Sequence, residues 1–274
     1  MSNLGMGESG MKILTLMENT ALDERFACEH GLSLYIETAR HKILFDAGQS
    51  NAFVANASRL GVDLSAVDLA VLSHGHYDHG GGLTEFIKRN HKAPIYMSRY
   101  AFEPHFNAAG RDIGLDKLLR QSDRIIFIDN ELVIDEQLSL YSCNHYQRQY
   151  DMLTCGLHTI ENGVCVPEDF RHELYLCIQE KNRRVLISGC SHKGILNIAE
   201  WFKPDILVGG FHFMKLATTG DDAKFITNAA KRLCEYPTCY YTGHCTGQEQ
   251  YKLLKSIMGP RLQSIASGKV IMLR

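Results

Sequence analysis

Three histidines and an aspartate stand within six residues, His74, His76, Asp78 and His79 in the string H-G-H-Y-D-H, directly after the apolar run Leu69–Leu72. If that run is a buried strand, residues two apart project to the same side, so His74 and His76 can grip one ion from its end. Asp78 and His79, one turn further on, can hold a second. A lone histidine among apolar residues is more often a hydrogen-bonded core residue. Four ligand-type side chains this close would repel, or demand buried partners, unless a cation organised them. The glycines 80–82 leave the backbone free to approach the ligands, and the segment from Leu83 reads as a helix. Metal chemistry is therefore predicted where a strand meets a helix.

The elements that must position these groups alternate along the chain. Strands are predicted at Lys12–Met17, Gly31–Glu37, Lys42–Asp46, Asp68–Ser73 and Ala93–Ser98, with a helix from Asn51 to Leu60. Regular order returns with strands Glu173–Gln179 and Arg184–Ser188, a helix Ile195–Phe202, a strand Asp205–Val208, a helix from about Asp221 to Glu235 and a strand Thr238–Tyr241. This is an α/β pattern. One grammar recurs four times, an apolar strand, then Gly or Ser, then a histidine, at His74, His192, His212 and His244. Imidazoles repeated at strand ends are how a sheet converges distant residues on one edge. The stretch 99–170, rich in polar and aromatic groups such as His105, Arg111, His145 and Tyr150, reads as an irregular lid or specificity insert. An edge hairpin with surface loops fits it equally well.

Composition narrows the classes. The chain has 274 residues, 45% apolar and 22% charged, with a formal charge of −2, which makes no broad electrostatic case for nucleic acid. No apolar stretch approaches the roughly eighteen residues that span a bilayer. Residues 1–10 read as a mobile leader without the order of a secretory signal, and residues 11–274 as a single domain. Nine cysteines, an odd number without a C-x-x-C pair, read mostly as small buried residues in a reducing compartment, so a cytoplasmic protein is expected.

Taken together, these motifs resemble the metallo-β-lactamase superfamily, whose H-x-H-x-D-H signature is His74 to His79. Phe45–Gly48 and the later histidines support the likeness. The chain is similar in particular to the dihydropterin-ribofuranosylaminobenzene phosphate synthase-like branch. Its motifs E-H-G-L-S, S-H-G-H-Y-D-H, G-C-S-H-x-G-I, G-G-F-H and H-C-T-G occur here at Glu29–Ser33, Ser73–His79, Gly189–Ile195, Gly209–His212 and His244–Gly247. The resemblance implies a four-layer αββα sandwich with two divalent ions in a shallow cleft at a sheet edge, zinc first, manganese or iron as alternatives. His74 and His76 with a third ligand, His192 or else His172 or Glu173, would hold one ion, and Asp78, His79 and His244 the other. Cys190 stands where the superfamily carries a bridging carboxylate.

The activity implied is a hydrolase using a metal-bound hydroxide on a small, anionic ester, phosphoester or lactone, with Asp78 as ligand and proton acceptor. His212, His30 and Arg111 are candidates for substrate contact, and each of the two histidines can equally be a structural residue. The branch offers a synthase as an alternative, joining a dihydropterin methyl group to a ribofuranosylaminobenzene phosphate. The altered Cys190 position leaves a non-catalytic metal-dependent sensor as a third. The partner expected is a small molecule, with neither nucleic acid nor membrane, and a homo-oligomer is compatible with everything in the sequence.

Overall fold

A computed structural model describes residues 10–273; apart from Gly10, the expected leader lies outside the described residues. The apolar run at Met11 forms β1 (Met11–Met17), which pairs antiparallel with β2 (Ser33–Glu37), itself paired with β3 (Lys42–Phe45). After helix α1 (Ala52–Arg59), β4 (Leu69–Val71) joins parallel to β3. The short helices α2 (Tyr77–Gly80) and α3 (Leu83–Arg89) lead to β5 (Ile95–Ser98) and β6 (Ile125–Ile128), both parallel to their predecessors. The hairpin of β7 (Glu131–Val133) and β8 (Leu138–Tyr141) opens a second sheet, and a separate ribbon follows as β9 (His158–Glu161) and β10 (Val164–Pro167).

The second sheet continues with β11 (Tyr175–Glu180) and β12 (Arg183–Ile187), then helix α4 (Ile195–Phe202), β13 (Ile206–Val208), helix α5 (Gly220–Leu233), β14 (Cys239–Thr242), helix α6 (Gln248–Met258) and β15 (Leu262–Ser264). The last strand, β16 (Val270–Leu273), returns to the first sheet beside β1. The two seven-stranded sheets run β16-β1-β2-β3-β4-β5-β6 and β15-β14-β13-β12-β11-β8-β7.

Both faces of each sheet are covered, so the central strands read as continuous apolar runs. In β1, Met11 and Ile13 face the layer between the sheets, where they meet Leu140, Leu176 and Ile187 of the second. Leu14 and Leu16 face outward to Phe53 of α1 and Phe86 of α3. On the far side, Ile198 of α4, Ala230 of α5 and Leu254 of α6 cover Leu186 and Leu207. The result is a four-layer αββα sandwich.

One sequence expectation needs correction. The stretch 99–170 is not one irregular insert: β6 closes the first sheet, and β7 and β8 form a hairpin at the edge of the second, as the alternative reading of this stretch expected. These strands gave little sign of themselves: Ile126, Phe127 and Val133 are exposed, which breaks the apolar alternation. The remainder forms two arms, 99–124 and 142–174, the second carrying the β9–β10 ribbon, and both reach the edge where the histidine-bearing strand ends meet. No helix among the described residues is long and apolar enough to cross a membrane.

Candidate metal centre

Strands β12, β13 and β14 are parallel neighbours, so the turns carrying Cys190 and His192, His212, and His244 lie side by side. The end of β4, carrying His74 to His79, meets them from the other sheet. Backbone strain concentrates here: Asp46, Ser191, His212 and His244 all have left-handed φ, at 57°, 59°, 57° and 45°. Non-glycine residues hold that region only when surrounding structure compels them, most often at functional sites. Two glycines are required for close approach. A Cβ on Gly189 (φ +60°) would lie 2.4 Å from Ser73 Oγ. A Cβ on Gly75 would lie 2.2 Å from Ala101 O and 2.7 Å from His105 Nε2. Gly75→Ala is accordingly expected to cost about 1–3 kcal/mol through overpacking, measured as a lowered urea midpoint. An unchanged midpoint would mean that the 101–105 arm yields freely.

Asp78, His79 and His244 form one triad. His79 Nε2 lies 3.2 Å from His244 Nε2, and Asp78 Oδ2 lies 3.6 Å from the first and 3.4 Å from the second. Ligands about 2.0–2.1 Å from a tetrahedral ion stand roughly 3.3–3.4 Å apart, so this spacing fits a shared cation. The tautomers agree. His79 Nδ1 donates to Asp46 Oδ2 at 2.6 Å, and His244 Nδ1 donates to Asn19 Oδ1 at 2.8 Å. The two Nε2 atoms therefore face each other with their far nitrogens already spent, so one positive charge, a proton on His79 or a cation, is shared between them. Burial alone would keep His79 neutral, but Asp46 and Asp78 outweigh it and lift its pKa to about 9. Burial would likewise protonate Asp78, yet His79 and His244 hold its carboxyl far below the usual carboxylate range.

His74, His76 and His192 form the other triad. His74 Nε2 stands 3.3 Å from His192 Nε2. The Ser73 hydroxyl spends its proton on Asp46 Oδ2 at 2.7 Å, so it accepts from His74 Nδ1 at 2.8 Å and leaves His74 Nε2 bare. Asp46 also accepts the Ser73 N–H at 2.7 Å. One buried carboxylate thus sets the tautomers of ligands in both triads. Burial pushes His74 and His192 well below the ordinary imidazole pKa, the neutral form that donates a lone pair to metal. His192 is held flat against Phe170, with ring centroids 4.5 Å apart and 12° between planes.

Cys190 Sγ lies 3.1 Å from His79 Nε2 and within ligand reach of His74 as well as His244, so it faces both triads. Glu173 is spent elsewhere: it accepts the N–H groups of His192 and Lys193 at 2.7 and 3.0 Å and the Tyr175 hydroxyl at 2.5 Å, clamping the 189–194 turn from behind. His172 lies beyond His76 with its Nδ1 on the Gly75 N–H at 2.8 Å. His30 stands half-exposed at the rim, Nε2 3.3 Å from Asp78 Oδ2. His212 packs on His192 at 4.3 Å between centroids, and its ring nitrogens are buried without a hydrogen-bond partner among the described residues. Arg111 is not brought into the cleft; it is exposed on the turn closed by Asn107.

Sequence reasoning passed over the roles of Asp46, Ser73 and Asn19, although Asp46 was in view within the Phe45–Gly48 motif. The cleft over the triads has a volume of about 340 Å³, with Tyr77, Ile113, Leu157, Met214 and Lys215 among its walls. His192 and His212 also line an adjoining cavity of about 280 Å³, walled by Leu153, Phe211, Phe213 and Phe225.

Comparison with known proteins agrees with this fold. The family model of the metallo-beta-lactamase superfamily matches residues 27–213. A 7,8-dihydropterin-6-methyl-4-(beta-D-ribofuranosyl)-aminobenzene-5'-phosphate synthase of Methanocaldococcus jannaschii is 28% identical, the alignment covering 98% of each chain. An uncharacterized protein of the same organism is 34% identical over 74% of this chain and 79% of its own. Among solved structures, Tm1679, a metal-dependent hydrolase of the beta-lactamase superfamily, is 27% identical with a TM-score of 0.80, covering 96% of this chain and 99% of that one. With its H-x-H-x-D-H turn and αββα layers, the chain belongs to the metallo-beta-lactamase superfamily.

Proposed function

We propose that this protein is a dinuclear metal-dependent hydrolase of a small anionic ester, phosphoester or lactone, with zinc as the favoured metal. The observation that carries the reading is the convergence of ring nitrogens, His79 Nε2 on His244 Nε2 at 3.2 Å and His74 Nε2 on His192 Nε2 at 3.3 Å, with the far nitrogens of His79, His244 and His74 already hydrogen-bonded. His74, His76 and His192 would hold one ion, and Asp78, His79 and His244 the other, with Cys190 facing both. Bound divalent cations supply Lewis acidity toward the scissile group and a water of lowered pKa. Asp78, held ionised, acts as an acceptor and orients the attacking water. His30, reaching from solvent to Asp78 Oδ2, is placed to carry a proton out of the cleft. Ile113, Leu157 and Met214 displace bulk water from the cleft, and Lys215 at its rim draws anions toward it.

Elemental analysis of protein purified without added metal, together with a screen of nitrophenyl phosphoesters and lactones, tests this. Two ions per chain and turnover abolished by a chelator are expected, and His76→Ala should lose at least one ion. Turnover that survives complete metal removal, or His76→Ala with full metal content, would overturn the reading. A synthase of the kind found in Methanocaldococcus jannaschii is the second reading. Near full-length similarity favours it, as does the aromatic cavity beside His192 and His212, which has room for a flat ring. Condensation of a dihydropterin with a ribofuranosylaminobenzene phosphate, without ester or lactone hydrolysis, would select it.

A further inference from the structure

Behind His76, away from the cleft, the Glu168 carboxylate is buried at 2% exposure among three imidazoles. His105 Nδ1 donates to Glu168 Oε1. The Gly75 N–H donates to His172 Nδ1, so His172 carries its proton on Nε2, which lies 2.8 Å from the same Oε1, within ion-pair distance but not aligned as a hydrogen bond. Glu168 Oε2 and His76 Nε2 face each other at 3.5 Å, and neither has a hydrogen-bond partner among the described residues. Two buried, complementary and unpaired atoms are a hydrogen bond one small ring rotation from closure. With Nε2 turned to Glu168, Nδ1 is the His76 nitrogen left for an ion. The two histidines of the other triad follow the same plan, His79 backed by Asp46 and His244 by Asn19. A ligand histidine whose far N–H meets a carboxylate is fixed in tautomer and orientation and binds metal more tightly.

We infer that Glu168, hydrogen-bonded by His105 and flanked by His172, is the positioning residue that fixes His76 and sets the affinity of the His74–His76–His192 site for its ion. This rests on the metal reading above and adds a role for the chain between β5 and β11: its two arms, one bringing His105 and the other Glu168 and His172, brace the metal site from behind. The spacing favours hydrogen bonding over a further ion in the cluster. The contacts of His105 and His172 with Oε1 are shorter than the roughly 3.3–3.4 Å that separates ligands on one tetrahedral cation.

The test is stepwise zinc affinity by chelator competition on the full chain, paired with the melting temperature of chelated protein. Glu168→Gln is expected to weaken one of the two ions roughly 10- to 100-fold and leave the other unchanged. His105→Leu, which leaves the carboxylate in place but loosens it, should weaken the same ion by less. Equal weakening of both ions together with a lower melting temperature would mark Glu168 as merely structural and overturn the inference. So would unchanged affinities, or a third ion per chain lost in Glu168→Gln. Wild-type protein that binds no zinc would defeat the metal reading itself, whereas two ions held equally well by both proteins would defeat only the role of Glu168.

Discussion

Chelation is expected to lower the melting temperature of this protein by roughly 8–16 °C for each ion removed. An ion present at about a thousand times its dissociation constant contributes about 4 kcal/mol, and a domain of this size moves roughly 2–4 °C per kcal/mol. The structural reason is the convergence of ring nitrogens in each triad, His79 Nε2 on His244 Nε2 and His74 Nε2 on His192 Nε2, at the spacing of ligands on one cation. The effect should depend on pH. Burial disfavours a charged His79, yet Asp46 and Asp78 raise its folded pKa to about 9, above the unfolded value near 6.5. A proton there stabilises the chelated protein fully below about pH 6.5, and that contribution is lost as pH rises through about 9. The chelated protein should therefore weaken between those limits, and the gap to the zinc-loaded form should widen. Calorimetry with chelator and with zinc restored checks both; a shift under about 2 °C at pH 8 would mean that the triads do not bind metal.

Asp46→Ala is expected to destabilise the fold by about 3–5 kcal/mol and to weaken both ions about 10- to 100-fold. Asp46 is fully buried and accepts from three donors, the Ser73 N–H, the Ser73 hydroxyl and His79 Nδ1. Alanine strands all three, each at about 1–3 kcal/mol. The same change frees the Ser73 hydroxyl to donate to His74 and so releases the tautomer of a ligand in the other triad. It also leaves alanine at φ 57°, where L residues are strained. Denaturant unfolding and metal competition read the two effects separately. Loss confined to the ion on His79 would show that the path through Ser73 to His74 carries nothing.

The histidine cluster was legible because it is local, four ligand-type residues within six positions, although β4 ends at Val71 and a bend at His74–Gly75, not strand alternation, brings His74 and His76 together. The strand ends before His192, His212 and His244 were legible for the same reason, since buried parallel strands such as Ile206–Val208 are short apolar runs closed by glycine. β6 and β7 were not, because their exposed positions carry apolar side chains and erase the period-two signal. The tail after Gly247, which forms α6, β15 and β16, was left unassigned, although Leu254 and Met258 of α6 bury against the second sheet.

What the sequence determined by itself is an α/β pattern with ligand-type residues at strand ends, and a likeness to one superfamily that implies the αββα architecture. What only tertiary structure decided is which atom of each ligand faces the cleft. Asn19 is 225 residues from the His244 it orients, Asp46 33 from His79, and Glu173 19 from the His192 N–H it holds. No periodicity encodes such pairs, because a buried hydrogen bond is selected by where two sheets bring its ends together. The candidate ligands of the His74–His79 cluster follow from local spacing, whereas tautomer, orientation and the different hydrogen-bond partners of His172, Glu173 and His192 follow from the packing of the layers.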